Sequence, residues 1–257
     1  MKAMTGIWKT KKMLNKADLV FPDWPAPANV KAIQTTRRGG FGVAPYDSLN
    51  LGLHVQDNPV TVAQNRQLLS QYLPSEPVWL NQVHGVEVVD AGQCGWVPDA
   101  DASFTHQKQV VCVTMTADCL PILLCDKQGT VVAAVHAGWR SLCDGVIEAT
   151  VEKMQVSPVD LMAWLGPAIG RQAFEVGSEV KAAFVAKDTQ SGVAFTPKGD
   201  KWLGDLYLIA KQRLANVGVH AVYGGKECTY SQPEKYFSFR RDGATGRMAS
   251  LIWLSAS

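Results

Sequence analysis

Two histidines and one cysteine in this 257-residue chain are set for chemistry: His84, Cys119 and His136. They lie in Asn81-Gln82-Val83-His84-Gly85, Thr116-Ala117-Asp118-Cys119-Leu120-Pro121 and Val135-His136-Ala137-Gly138-Trp139-Arg140. Two imidazoles and a thiol can form a three-ligand zinc site with an open fourth position. The same groups can form a Cys-His nucleophile pair with a second histidine as orienter. Either reading makes the chain an enzyme. The gaps of 34 and 16 residues match no zinc-finger or zincin spacing, so three separate elements must supply the groups. That favours a catalytic site over a structural one. The plain alternative, three unrelated residues at strand ends, is not excluded by spacing.

The elements that must position the trio are strands. Val78–Val83 runs into His84, Val110–Thr116 into Asp118-Cys119, and Val131–Val135 into His136. Ile122–Cys125 and Val131–Val135 are expected to pair as a hairpin about Lys127-Gln128-Gly129. A strand over Val30–Thr36 feeds a glycine-rich loop with Arg37 at its tip, a candidate anion binder. Asn58-Pro59 starts a helix that Pro74 ends. Further helices are expected for about 14 residues after Arg140, over Phe174–Val185, and over Trp202–Val217 with Gly218 beyond its end. Short strands are expected at Leu161–Leu165, Val219–Tyr223, Phe237–Arg240 and Ser250–Leu254. This irregular mixture predicts an α+β fold in a single catalytic domain over residues 20–257, after an N-terminal extension over 1–19.

Around the trio, Arg140 is a second candidate for an anion, and Asp118 a candidate acceptor fixing an imidazole tautomer. Asn50 and Gln82 are candidate pocket walls, and His54 is close enough in sequence to that region to reach the site. His106 and His220 read as surface residues. Each has an ordinary alternative: a solvated arginine, a turn cap, a buried polar group.

Composition narrows the class. The chain is 47% hydrophobic and 19% charged with net charge +2, which gives no field for nucleic acid or a membrane surface. The six cysteines form no C-x-x-C pair and mostly lie in apolar runs, so free thiols are expected. The amino-terminal residues carry no apolar signal segment, and Val110–Cys125 is interrupted by polar residues and Pro121. A cytoplasmic monomer acting on a small molecule is the expectation.

The three blocks around the trio resemble the signature of the YfiH family, also called the polyphenol oxidase (laccase-domain) family and peptidoglycan editing factor. Thr36-Arg37-Arg38-Gly39-Gly40, Tyr46 to Gly52 and Asn65-Arg66 resemble its N-terminal block. Gly166 to Gly170, Phe174 to Gly177, Cys228-Thr229-Tyr230 and Phe237 to Gly243 resemble its C-terminal half. One departure is Ser141, where the family block usually has glycine.

The resemblance implies a multilayer domain with mixed sheets and a cysteine-hydrolase-like fold, shared with a deamidase toxin. It implies a zinc-binding and catalytic trio of His84, Cys119 and His136, with Arg37 lining the same pocket. The implied activity is phosphorolysis of adenosine, inosine and methylthioadenosine with adenosine deamination. Alternatives are a cysteine hydrolase that removes misplaced L-serine from peptidoglycan precursors, and copper-dependent phenol oxidation. A non-enzymatic zinc module is a further alternative. Five histidines are too few for several copper sites. Deamination needs a proton-shuttling carboxylate, for which Glu175 and Glu87 are the guesses. Phosphorolysis needs phosphate held by Arg37, Arg140 and the loop backbone.

Overall fold

The fold is built around long apolar strands that are buried on both faces. The structure, a computed structural model, describes residues 14–95 and 97–256. The strands are β1 (Leu19–Val20), β2 (Val30–Thr35), β3 (Val88–Asp90), β4 (Ala102–Thr105), β5 (Val111–Thr116), β6 (Leu120–Asp126), β7 (Val132–Ala137), β8 (Leu161–Leu165), β9 (Glu175–Val176), β10 (Phe195–Lys198), β11 (Lys201–Gly204), β12 (Ala221–Gly224) and β13 (Met248–Leu254). The helices are α1 (Pro59–Ser70), α2 (Trp139–Asp144), α3 (Val146–Lys153), α4 (Ser178–Lys187), α5 (Leu206–Asn216) and α6 (Phe239–Asp242).

A six-stranded sheet has the order β12-β8-β6-β7-β4-β3 and mixes parallel outer pairs with antiparallel inner ones. A four-stranded antiparallel sheet, β1-β2-β13-β5, packs against it. A small sheet, β10-β11-β9, lies apart from both.

Alternation along the strands assigns the layers. In β6, Leu120, Ile122 and Leu124 join Val146, Ile147, Ile209 and Leu214 of α3 and α5. Leu123 and Cys125 face the other way and join Cys112 of β5 and Ile252 of β13 between the sheets. The far side of the four-stranded sheet is covered by α1 through Leu69. The result is a single domain layered helix, sheet, sheet, helix, with no helix among the described residues long and apolar enough to cross a membrane. All six cysteines are free.

Several elements differ from the sequence reading. Val78–Val83 is not a strand; it holds its place through isolated bridges at Val78↔Cys112 and Asn81↔Asp99. The helix after Arg140 is broken at Gly145, whose φ of 109° ends α2 and starts α3. Phe174–Val185 begins as strand β9, and Trp202–Val217 begins as strand β11 before Asp205 caps α5 at the Leu208 N–H. The strand expected at Phe237–Arg240 is the short α6, capped by Ser238. Residues 1–13 of the expected N-terminal extension lie outside the described residues. Leu14 is already packed in the core, with its carbonyl accepting from the Tyr72 hydroxyl at 2.7 Å, so ordered packing begins before residue 20.

Leu123→Ala, between the two sheets, is expected to cost about 2–5 kcal/mol, read as a lower urea midpoint. Val43→Ala, at a position 75% exposed, is expected to stay within about 0.5 kcal/mol of the parent.

Candidate metal centre and active site

The β6–β7 hairpin delivers two of the three groups. Cys119 immediately precedes β6, His136 is the fifth residue of β7, and the register pairs Pro121 with His136 and Leu120 with Ala137. Alternation puts His136 on the face of Val132 and Ala134, toward the inter-sheet layer. Gly138 follows directly. A Cβ there would come within 2.7 Å of His84 Cδ2 and 3.3 Å of Cys119 Sγ, so only glycine lets the hairpin end approach the third group.

Asp101 brings in His84. Its carboxylate, fully buried at the start of β4, accepts the backbone N–H groups of Val83 (3.2 Å), His84 (3.0 Å) and Gly85 (2.6 Å). This holds His84 at a φ of 62°, on an extended segment with no regular strand to fix it. The same carboxylate bonds His136 Nδ1 at 2.7 Å, and the Asp101 carbonyl accepts the His136 N–H at 2.7 Å. With Nδ1–H donating to Asp101, the free nitrogen of His136 is Nε2.

The three donor atoms all lie within 4.8 Å of one another, and Cys119 Sγ is 3.8 Å from His84 Nε2. A tetrahedral ion with Zn–N near 2.1 Å and Zn–S near 2.3 Å needs ligand edges of about 3.6 Å. The trio therefore fits one such ion with little movement. Among the described residues it is the one such group of His, Cys, Asp or Glu found.

Without a metal the groups form an ion pair. Burial alone would raise the Cys119 thiol, but His136 and His84 beside it bring it down to about 6. Burial alone would lower His136, but Cys119 and Asp101 bring it up to about 9. Burial also opposes the Asp101 charge, and the bonds from His136, Gly85 and His84 outweigh it, so its pKa falls.

The other sequence candidates are distributed differently. A cavity of about 260 Å³ opens at Cys119 between Trp139, Arg140, Phe174, Phe239 and Arg240. Arg140 stacks on Trp139, 4.4 Å from its ring centroid. Asp118 lines the cavity but touches neither imidazole; it accepts from Thr229 Oγ1 at 2.6 Å and the Arg240 N–H at 2.7 Å. The tautomer-fixing role expected of Asp118 falls to Asp101.

Arg37 is absent from the wall of this cavity. Its guanidinium donates to the carbonyls of Asp47 (2.9 Å) and Pro233 (3.0 Å) and meets the Asp47 carboxylate at 3.3 Å, facing a separate hollow. It staples two loops, which corrects the expectation that it shares the pocket. Asn50 and Gln82 are also structural. Fully buried Asn50 bonds Gly52, Asp57 and Arg247, and Gln82 bonds both backbone groups of Met115.

Neither guessed glutamate is free to shuttle a proton at the site. Glu175 is paired with Lys198 and Lys201 at 2.9 Å each, and Glu87 does not line the cavity. Two groups escaped the sequence reading of the site. Arg247 sits 5.8 Å from the Phe239 ring; burial lowers its pKa, countered by the charges of Cys119 and Asp118. Asp101 is the other. His54 lies beside Arg247, both of them close to Gly52.

In metal-free protein, the rate of Cys119 alkylation is expected to rise through pH about 6 and then level off, because the thiolate is the reactive form. Asp101→Asn should move this step upward, toward an ordinary thiol, and weaken metal binding about 10–100-fold. An unshifted profile in that variant would separate Asp101 from the thiol's charge state.

With the geometry established, relatives place the chain. The family model described as "Multi-copper polyphenol oxidoreductase laccase" matches residues 31–255. A protein of Shigella flexneri named "Purine nucleoside phosphorylase YfiH" is 54% identical over 239 residues, covering 92% of this chain and 98% of that protein. "Purine nucleoside phosphorylase PA4543" of Pseudomonas aeruginosa is 53% identical over 235 residues, covering 91% and 97%. Among solved structures, Neisseria meningitidis protein NMB0706 superposes with a TM-score of 0.91 at 51% identity, covering 93% of this chain and 100% of that one. YlmD from Geobacillus stearothermophilus superposes at 0.84 with 29% identity, covering 89% and 93%. By sequence and by fold, the chain belongs to the YfiH family of laccase-domain proteins.

Proposed function

We propose that this protein is a purine nucleoside phosphorylase whose trio His84, Cys119 and His136 holds zinc. The observation that carries the reading is the trio itself: two nitrogens and one sulfur within 4.8 Å, opening on a cavity walled by aromatic rings and arginine. The names carried by relatives more than 50% identical support the same substrate class. A family described as multi-copper suggests copper instead, yet the described residues offer one metal-ligand cluster rather than several. When bound, zinc would supply Lewis acidity at an open fourth position.

The chain's own groups account for binding and orientation. Trp139, Phe174 and Phe239 provide flat apolar surface for a purine ring. Arg140, exposed at the mouth, supplies a guanidinium for phosphate. Phosphate oxygen attacks the ribose C1′ as the C1′–N9 bond breaks. The bonding pair leaves with the base, which takes a proton, giving free base and ribose 1-phosphate. Asp101 fixes His136 throughout, so the imidazole presents Nε2 to the site. Adenosine deamination at the same centre finds no free carboxylate among the described residues that line the cavity, since Asp118 already accepts from Thr229 and Arg240.

A second reading rests on one specific observation. Asp101, His136 and Cys119 also form the orienter, base and nucleophile of a cysteine hydrolase, with the thiol's pKa already lowered. This is the arrangement that the precursor-editing activity would need. Zinc on the same atoms would block it.

Cys119→Asp separates the two readings. A carboxylate still ligates zinc beside two histidines but performs no thiolate acyl transfer. The zinc-loaded variant is expected to keep phosphorolysis of adenosine, reduced about 10–100-fold, measured as phosphate-dependent release of adenine. A variant without phosphorolysis, beside wild-type protein that cleaves a serine-containing precursor, would establish the hydrolase instead.

A further inference from the structure

We propose that a cleft behind the catalytic wall is a second ligand site, for an organic anion of the nucleoside monophosphate class. It lies at the carboxyl ends of β8 and β12, which run parallel and end together at Leu165 and Gly224. The chain leaves β8 through Gly166–Gly170 and β12 through Gly225–Ser231, and α5 closes the third side with Tyr207, Leu208 and Lys211. The two loops stay paired through an isolated bridge at Ala168↔Cys228, and the cleft opens between them and α5. This one measures about 620 Å³, against about 260 Å³ at Cys119, and falls within the ordinary range of small-molecule sites.

Charge selects the class. Arg171, Lys211 and Lys226 line the cleft from three different elements and are exposed, and none has a salt bridge among the described residues. The acids beside them are engaged: Asp205 caps α5, and Glu227 pairs with Lys235 at 2.9 Å. A net positive cleft remains. Tyr230, 40% exposed, adds an aromatic face for a ring beside the anionic group. Tyr207 keeps the floor in place, since its hydroxyl accepts the Ala168 N–H at 2.9 Å and lies within 3.0 Å of the Gly166 and Glu227 carbonyls.

The floor is also the back of the catalytic wall. Cys228 accepts the Gly170 N–H at 3.2 Å and bridges Ala168. The next residue, Thr229, donates its hydroxyl to Asp118 at 2.6 Å, and Ile169 N–H donates to the Asp118 carbonyl at 2.9 Å. Asp118 precedes Cys119, so an occupant of the cleft sits one strand away from the catalytic thiol.

Cys228 gives the test a local readout. Burial raises its thiol pKa, but bonds from Ser231, Gly170 and Tyr230 outweigh this and lower it, and its side chain lines the cleft. The probe is UMP, whose pyrimidine is not the proposed reaction's substrate, applied to full-length Cys119→Ala protein. Iodoacetamide labelling of Cys228 is followed by peptide mass spectrometry. UMP at roughly 1 mM should slow labelling about fivefold, while uridine or inorganic phosphate at the same level should change it by less than about twofold. Adding Lys211→Glu and Lys226→Glu should abolish protection with an unchanged melting temperature. No protection by UMP, equal protection by phosphate alone, or protection surviving the charge reversal would each overturn the proposal.

Discussion

The site depends on one buried carboxylate. Asp101 is fully removed from solvent and gathers four N–H donors: three from the backbone at Val83–Gly85 and one from the His136 ring. An uncompensated charge in that position would be strongly destabilising, whereas four short bonds make it an anchor. Those bonds join the segment before β3 to the hairpin of β6 and β7. Without Asp101, His84 would have neither a strand nor a side chain to hold its left-handed backbone.

Around that anchor the two sheets divide the labour. The inner hairpin, buried on both faces, sets the positions of Cys119 and His136 to within the precision of a β register. Gly138 then permits His84 to approach within contact of the hairpin end. Short helices and a turn wall the cavity beside them: Arg140 and Trp139 from the start of α2, Phe239 and Arg240 from α6, Asp118 from the turn before β6. A rigid hairpin thus carries two of the three candidate ligands, and short elements at its end carry the walls.

The hairpin and the trio were legible because their signals are local. Val111–Thr116 is β-branched, Lys127-Gln128-Gly129 marks a turn, and the three motif blocks sit beside them. Asp101 was not legible, because Asp99-Ala100-Asp101-Ala102 reads as a polar loop and its partners lie 16 to 35 positions away. Arg37 misled for the converse reason: a guanidinium in a glycine-rich loop looks free until Pro233 arrives from the distant C-terminal half. Apolar spacing in Trp202–Val217 fits a helix throughout, yet Trp202 and Leu203 pair with Val176 and Glu175, and tertiary pairing overrides periodicity there. Gly204-Asp205, a breaker followed by a cap, was the overlooked boundary signal.

The sheet order has a consequence for how the site comes into being. Cys119 and His136 can meet as soon as a short hairpin closes, since 16 residues separate them. The sheet behind them cannot close so early: β13 lies between β2 and β5, and its Leu254 pairs with Val30, 224 positions away. Closing so distant a contact is slow compared with closing a local turn. Cys119 and His136 therefore meet first, and His84 joins when β4 pairs with β7, Ala102 against Val135, and brings Asp101 into place. A chain at the hairpin stage would offer a metal two ligands and the folded chain three, so an ion bound there would act as a latch on a fold already reached.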